Sequence, residues 1–154
     1  MEKLKVGSVL PKFKAINQFD HEINTENLKG KKVVVYFYPK DNTPGCTAQA
    51  CSIRDSFDGL KEKGIEVIGI STDSLTSHKK FGEKFNLPFS LLPDEEKEIC
   101  NAFGVWGTKK FMGKVYDGIH RTSFLFDENS KLISVVEKPD TKNHGTEILK
   151  NYGF

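Results

Sequence analysis

The run Val33–Tyr38, VVVYFY, is apolar at every position and built only from β-branched and aromatic residues. A strand covered on both faces has this pattern, because neither face is left for polar alternation. A Pro/Asp/Asn-rich turn follows at 39–43, and there the period changes. Cys46, Ala50, Ile53, Phe57 and Leu60 recur at helical spacing, one apolar stripe on a helix expected over about 44–63. IEVIGIS at 65–71 predicts the next strand, 75–86 a helix, and LPFSLLPD a short strand bounded by Pro88 and Pro93. A short helix is expected over 94–103, and GVWGTKKFMGKVYDG at 104–118 reads as a glycine-punctuated hairpin. IHRTSFLFD at 119–127 and KLISVVEK at 131–138 predict two strands around the turn DENS, and a last helix starts near Asn143. Strands alternating with helices, closed by a late hairpin, predict an α/β fold with a central mixed sheet flanked by helices on both faces. Within 119–127, period-two alternation puts Arg121, Ser123 and Leu125 on one face, and Thr122, Phe124 and Phe126 on the other.

Composition narrows the setting. With 154 residues the chain is expected to be one domain, 1–154, whose core needs no staples. A net charge of +2 with scattered lysines argues for neither nucleic acid nor an anionic membrane. The longest apolar run is far too short to span a bilayer, and the N-terminal stretch lacks the apolar segment of a signal peptide. The expected compartment is the cytosol, where close cysteine pairs tend to be catalytic or redox-sensing. Three cysteines, an odd number, fit that setting better than a secreted disulfide framework.

Two of the three cysteines lie in PKDNTPGCTAQACSIRDSF, residues 39–57. Thr43 suits an N-cap and Pro44 the first helical position, which puts Cys46 in the first turn. Unpartnered amides and the positive end of the helix dipole lie there, and a thiol so placed ionises more readily to its reactive form. At roughly 100° per residue, Cys51 points about 140° away from Cys46. The two are too far apart to bridge while the helix is intact, and bridgeable once its first turns unwind. Cys100, in KEICNAFGVW, reads as a core thiol beside Ile99 and Phe103. No C-x2-C spacing occurs and the four histidines are dispersed, so no metal site is expected. His21, His78, His120 and His144 read as surface or structural residues, although residue types alone do not exclude a Cys–His hydrolase.

The stretch YPKDNTPGCTAQACSIRD resembles the P-x-x-x-T-x-x-C motif of peroxiredoxins through Pro39, Thr43 and Cys46. The extension T-P-G-C-T-x-x-A-C is similar to the bacterioferritin comigratory protein, or peroxiredoxin Q, subgroup. FGVWGTKKFMGKVYDGIHRTSFLFD and DTKNHGTEIL extend that resemblance over nearly the whole chain. It implies a thioredoxin-like fold and reduction of hydroperoxides. Cys46 would be the peroxidatic cysteine and Cys51 the resolving one, with Thr43 and Arg121 as activating residues and Pro39 walling the pocket. The Thr43 hydroxyl would accept from a first-turn amide, and the Arg121 guanidinium would favour negative charge on sulfur and on the departing oxygen. The resemblance implies no metal, haem or flavin, and a thioredoxin-type dithiol as reductant. A monomer suffices for such a cycle. Trp106, Phe111 and Tyr116 either line the pocket or cover the sheet's edge. A C-x-x-C-type disulfide reductase, a redox sensor that oxidises a partner, and a binding module with incidental cysteines are the alternative readings.

Overall fold

A computed structural model describes residues 2–154. In chain order the elements are β1 (Lys14–Ile16), β2 (Glu22–Asn24), a 3-10 turn (Thr25–Leu28), β3 (Lys32–Phe37), α1 (Pro44–Asp55), α2 (Phe57–Glu62) and β4 (Ile65–Ser71). They continue as α3 (Leu75–Lys84), β5 (Ser90–Pro93), α4 (Glu98–Phe103), β6 (Trp106–Phe111), β7 (Lys114–Ile119), β8 (Thr122–Phe126), β9 (Leu132–Val136) and α5 (His144–Asn151). Five strands form the main sheet in the order β5-β4-β3-β8-β9. The β3–β4 and β4–β5 pairs are parallel, while the β3–β8 and β8–β9 pairs are antiparallel. The apolar run therefore lies at the centre of the sheet, where both of its faces are covered.

Each face carries its own core. Val34, Tyr36 and Tyr38 point toward a layer made by Cys46, Ala50 and Ile53 of α1, Leu60 of α2, Phe81 of α3 and Ile148 of α5. Val33, Val35 and Phe37 point the other way, against Ile99, Cys100 and Phe103 of α4 together with Leu10, Leu28 and Ile119. The β8 alternation follows the expected split, with Leu125 in the first core and Phe124 and Phe126 in the second.

The structure corrects several boundaries. The helix expected over 44–63 is two helices, because the chain breaks at Ser56, whose φ of -99° and ψ of 3° leave the helical region. The short helix expected over 94–103 starts at Glu98, after Lys97 in the left-handed region. Ile119 closes β7 and Thr122 opens β8, so Arg121 lies in the junction between two strands rather than within one. The β1–β2 hairpin and the 3-10 turn, for which the chain pattern held no signal, cover the second core.

Helix α5 is docked onto α1 at a place with no spare room. The Gly145 amide donates to Ser52 Oγ at 3.1 Å, and a Cβ on Gly145 would lie 2.6 Å from the Ser52 carbonyl oxygen and on top of Ser56 Oγ. Beside it, His144 is fully buried, with Nδ1 donating to Glu147 Oε1 at 2.7 Å and Nε2 accepting from Ser123 Oγ at 2.7 Å. Burial holds this imidazole below its ordinary value of 6.5, against the opposing pull of Glu147.

Two outcomes follow from this junction. Gly145→Ala should destabilise the chain by about 1–3 kcal/mol through overpacking, read from urea unfolding midpoints. Below pH 6.5 the unfolded chain binds a proton at residue 144 that the folded chain does not, so stability should fall as pH drops from 7.5 to 5.5. His144→Gln should flatten that slope.

Candidate active site

The turn between β3 and α1 is anchored from below. The buried Asp41 carboxylate accepts from Tyr38 Oη at 2.6 Å, Ser77 Oγ at 2.8 Å and His78 Nδ1 at 2.7 Å. Its backbone amide donates to Asp73 Oδ2 at 2.8 Å, and that carboxylate also accepts from Ser71 Oγ at 2.6 Å. His78, which the sequence left as surface or structural, is fully buried, and its Nε2 has no hydrogen-bond partner among the described residues. A turn tied to β3, β4 and α3 by these bonds fixes where α1 begins.

Thr43 is the N-cap residue, with extended backbone, and Pro44 follows it at the first helical position. The Thr43 carbonyl accepts from the Thr47 amide at 2.8 Å, the first bond of the helix. The side chain departs from expectation: its hydroxyl donates to the Lys40 carbonyl at 2.9 Å and accepts from no first-turn amide. The bond to Lys40 closes the turn on itself instead. Pro39 is half-buried where β3 ends, so it terminates the strand at the edge of this turn.

Cys46 is 1% exposed, on the α1 face that packs against the sheet. Arg121 reaches it from the β7–β8 junction: Nη2 donates to Cys46 Sγ at 3.3 Å, and Nη1 donates to Gln49 Oε1 at 2.7 Å. Gly45 eases the approach, because a Cβ there would crowd Arg121 Nη2 at 3.2 Å. The guanidinium is therefore held at two points on one helix, a fork geometry that a lysine does not offer. Gln49 escaped sequence reading. Its signal was a polar residue three positions after Cys46, on the helix face otherwise filled by Ala50 and Ile53. It is fully buried, and its Nε2 has no hydrogen-bond partner among the described residues.

Cys51 is half-buried and unbonded to Cys46; all three thiols are free. Cys100 belongs to the core on the opposite face of the sheet. Burial, reinforced by Asp94, pushes its thiol well above the ordinary cysteine range. Phe111 and Tyr116 face outward rather than into a pocket; they are 66% and 47% exposed on the β6–β7 hairpin, while Trp106 packs against the second core.

A cavity of about 480 Å³ opens beside Arg121, lined by Lys3, Lys109, His120, Lys138 and Thr141 among others. Burial, with the nearby Arg121 charge next, lowers the Lys109 ammonium below its usual range. A larger cavity of about 670 Å³, between Phe13 and Ile99, includes none of these residues.

The model of the AhpC/TSA family matches residues 6–135. The chain belongs to that family. Peroxiredoxin Bcp of Escherichia coli (strain K12) is 49% identical over 149 residues, which are 97% of this chain and 96% of that protein. A solved cysteine-to-serine mutant of Xylella fastidiosa PrxQ superposes with a TM-score of 0.91 over 99% of this chain and 97% of that one; at 24% identity it speaks for the thioredoxin-like fold alone. The bacterioferritin comigratory protein of Xanthomonas campestris, solved in trapped intermediate and ligand complexes that bear on its alkyl peroxide reduction activity, is 28% identical with a TM-score of 0.84. That match covers 93% of this chain and 95% of the other. Within the AhpC/TSA family the chain is thus a peroxiredoxin of the Bcp/PrxQ subfamily, a thiol peroxidase.

Arg121→Lys, which keeps the charge but loses the fork, should slow reaction with peroxide by about 10-fold or more. Gln49→Leu should slow it less, because Arg121 keeps one of its two anchors. Stopped-flow measurement of peroxide consumption on the reduced protein checks both.

Proposed function

We propose that this peroxiredoxin reduces hydrogen peroxide and organic hydroperoxides through Cys46, resolves the product with Cys51, and is reset by a thioredoxin-type dithiol. The observation that carries the reading is the Arg121 guanidinium donating to the Cys46 sulfur at 3.3 Å. A permanent cation there stabilises negative charge on sulfur and on the oxygen that leaves.

In the first step the Cys46 thiolate attacks the distal oxygen of R–O–O–H. The S–O bond forms as the O–O bond breaks, the alkoxide takes a proton to leave as alcohol or water, and sulfur becomes a sulfenic acid. The Thr43 hydroxyl, its proton committed to Lys40, keeps lone pairs that accept from the peroxide O–H. Pro39 walls the approach.

Next, the first turns of α1 unwind. The Cys51 thiolate attacks the sulfenic sulfur, so that an S–S bond forms and water leaves. The structure supports a local change here rather than a general one. The second half of α1 is fastened to α5 through Ser52 and Gly145, and the break at Ser56 separates it from α2. The first half is held through the Arg121 contacts to Cys46 and Gln49, which lapse when the turn opens. A reductant thiolate then attacks the disulfide, and its second thiol displaces the mixed disulfide. Two electrons and two protons pass to this chain, and the reductant leaves as its own disulfide. Antioxidant defence and redox homeostasis in the cytosol are the setting this cycle fits.

Peroxide consumption coupled to NADPH through thioredoxin and its reductase tests the assignment. Cys46→Ser should abolish turnover. Cys51→Ser should retain one sulfenate-forming event per chain but lose coupled turnover. Cys100→Ser should turn over near the parent rate, because its sulfur lies across the sheet from Cys46. Retained turnover in Cys46→Ser would falsify the reading.

A further inference from the structure

Four of the chain's exposed large apolar residues, Phe111, Met112, Val115 and Tyr116, lie on one hairpin, β6–β7. That hairpin forms a two-stranded sheet of its own. Its register sorts the side chains. Trp106 opposes Ile119, and both pack into the second core, so the face carrying them is the inner one at the base of the hairpin, while Lys110 and Val115 farther along it are exposed. The outer face carries the pairs Gly107 with Gly118, Lys109 with Tyr116, and Phe111 with Lys114. Lys109 and Tyr116 lean over Gly118, where a Cβ would meet their side chains at 3.2 and 3.4 Å.

This outer face is continuous with the site. Lys109 lines the cavity beside Arg121, whose Nη2 touches Cys46. From that cavity outward the surface runs Lys109, Tyr116, Phe111, Lys114, aromatic and cationic side chains in turn. Lys3 and Lys138 add positive charge at the cavity, where Glu137 is the opposing acid and bridges Lys3 at 3.2 Å. The net charge of +2 for the whole chain conceals this concentration.

We propose that the outer face of the β6–β7 hairpin is the docking surface for the reductant: a dithiol protein whose attacking thiol lies in an apolar patch with an acidic rim. The proposal rests on the reductant reading above. A reductant must bring its thiol to the disulfide formed at the start of α1, the segment that Arg121 contacts in the reduced chain, and this strip leads outward from the cavity beside Arg121. Phe111 and Tyr116 serve as rigid aromatic anchors. The lysines match acidic groups at its rim and speed the encounter. Charge complementarity favours such a protein over a second copy of this chain, which would bring the same lysines against themselves.

The test uses the full chain, oxidised with one equivalent of peroxide, and compares its reduction by an acidic thioredoxin with reduction by dithiothreitol, which needs no docking surface. Phe111→Ser/Tyr116→Ser should lower the second-order rate with thioredoxin by about 10-fold or more, with the dithiothreitol rate held within about twofold of the parent. Lys114→Glu should lower the thioredoxin rate and weaken its dependence on salt. Thioredoxin rates in the double variant within about twofold of the parent overturn the proposal. So does binding of the parent to anionic phosphatidylglycerol vesicles, lost in the double variant without change in thioredoxin rate, which assigns the face to lipid. A parent that dithiothreitol reduces and thioredoxin does not would sink the reductant reading itself, and the docking surface with it.

Discussion

One contact organises this molecule: a guanidinium laid against a buried sulfur. Arg121 lies in the two-residue junction between a free-standing hairpin and the sheet, and Cys46 in the first turn of a helix seventy-five positions earlier. Bringing them within 3.3 Å requires that both the helix start and the strand junction be fixed independently. The Asp41 network does the first, tying the turn to β3, β4 and α3. Pairing of β8 with β3 does the second. Gly45 supplies the clearance between them.

In the proposed cycle the same helix has to hold and to let go. Its apolar stripe buries Ala50 and Ile53 against the sheet, which favours the folded form. Its first half has Gln49 and Cys46 on that face, held by Arg121 rather than by apolar packing alone. Its second half is pinned where Gly145 allows α5 to approach the Ser52 carbonyl. In that cycle the opening is confined to the segment from Pro44 to about Ala50, which carries Cys46 and ends just before Cys51.

The sheet also keeps the third thiol out of this chemistry. Cys46 and Cys100 are both fully buried, yet in different cores on opposite faces. The charged neighbour of the first is the Arg121 guanidinium; that of the second is the Asp94 carboxylate, which adds to the effect of burial. Position thus separates the two: Cys46 shares its face of the sheet with the Arg121 cation, whereas burial first and Asp94 second push the Cys100 thiol up.

Local chemistry was legible from the chain. The unbroken run 33–38, the helical stripe from Cys46 and the Thr43-Pro44 start are short-range patterns, and a motif built on them carried the family resemblance. The period-two split in β8 also held, because pleat geometry is local. What lay beyond reach depended on distant partners. The helix break at Ser56, the bond of Thr43 to Lys40, the fork from Arg121 to Gln49 and the outward face of the β6–β7 hairpin are settled by packing and pairing in three dimensions. A sequence determines what each residue can offer, since periodicity and capping act over a few positions. Which groups meet, and which remain open to a partner, is decided only when the sheet closes.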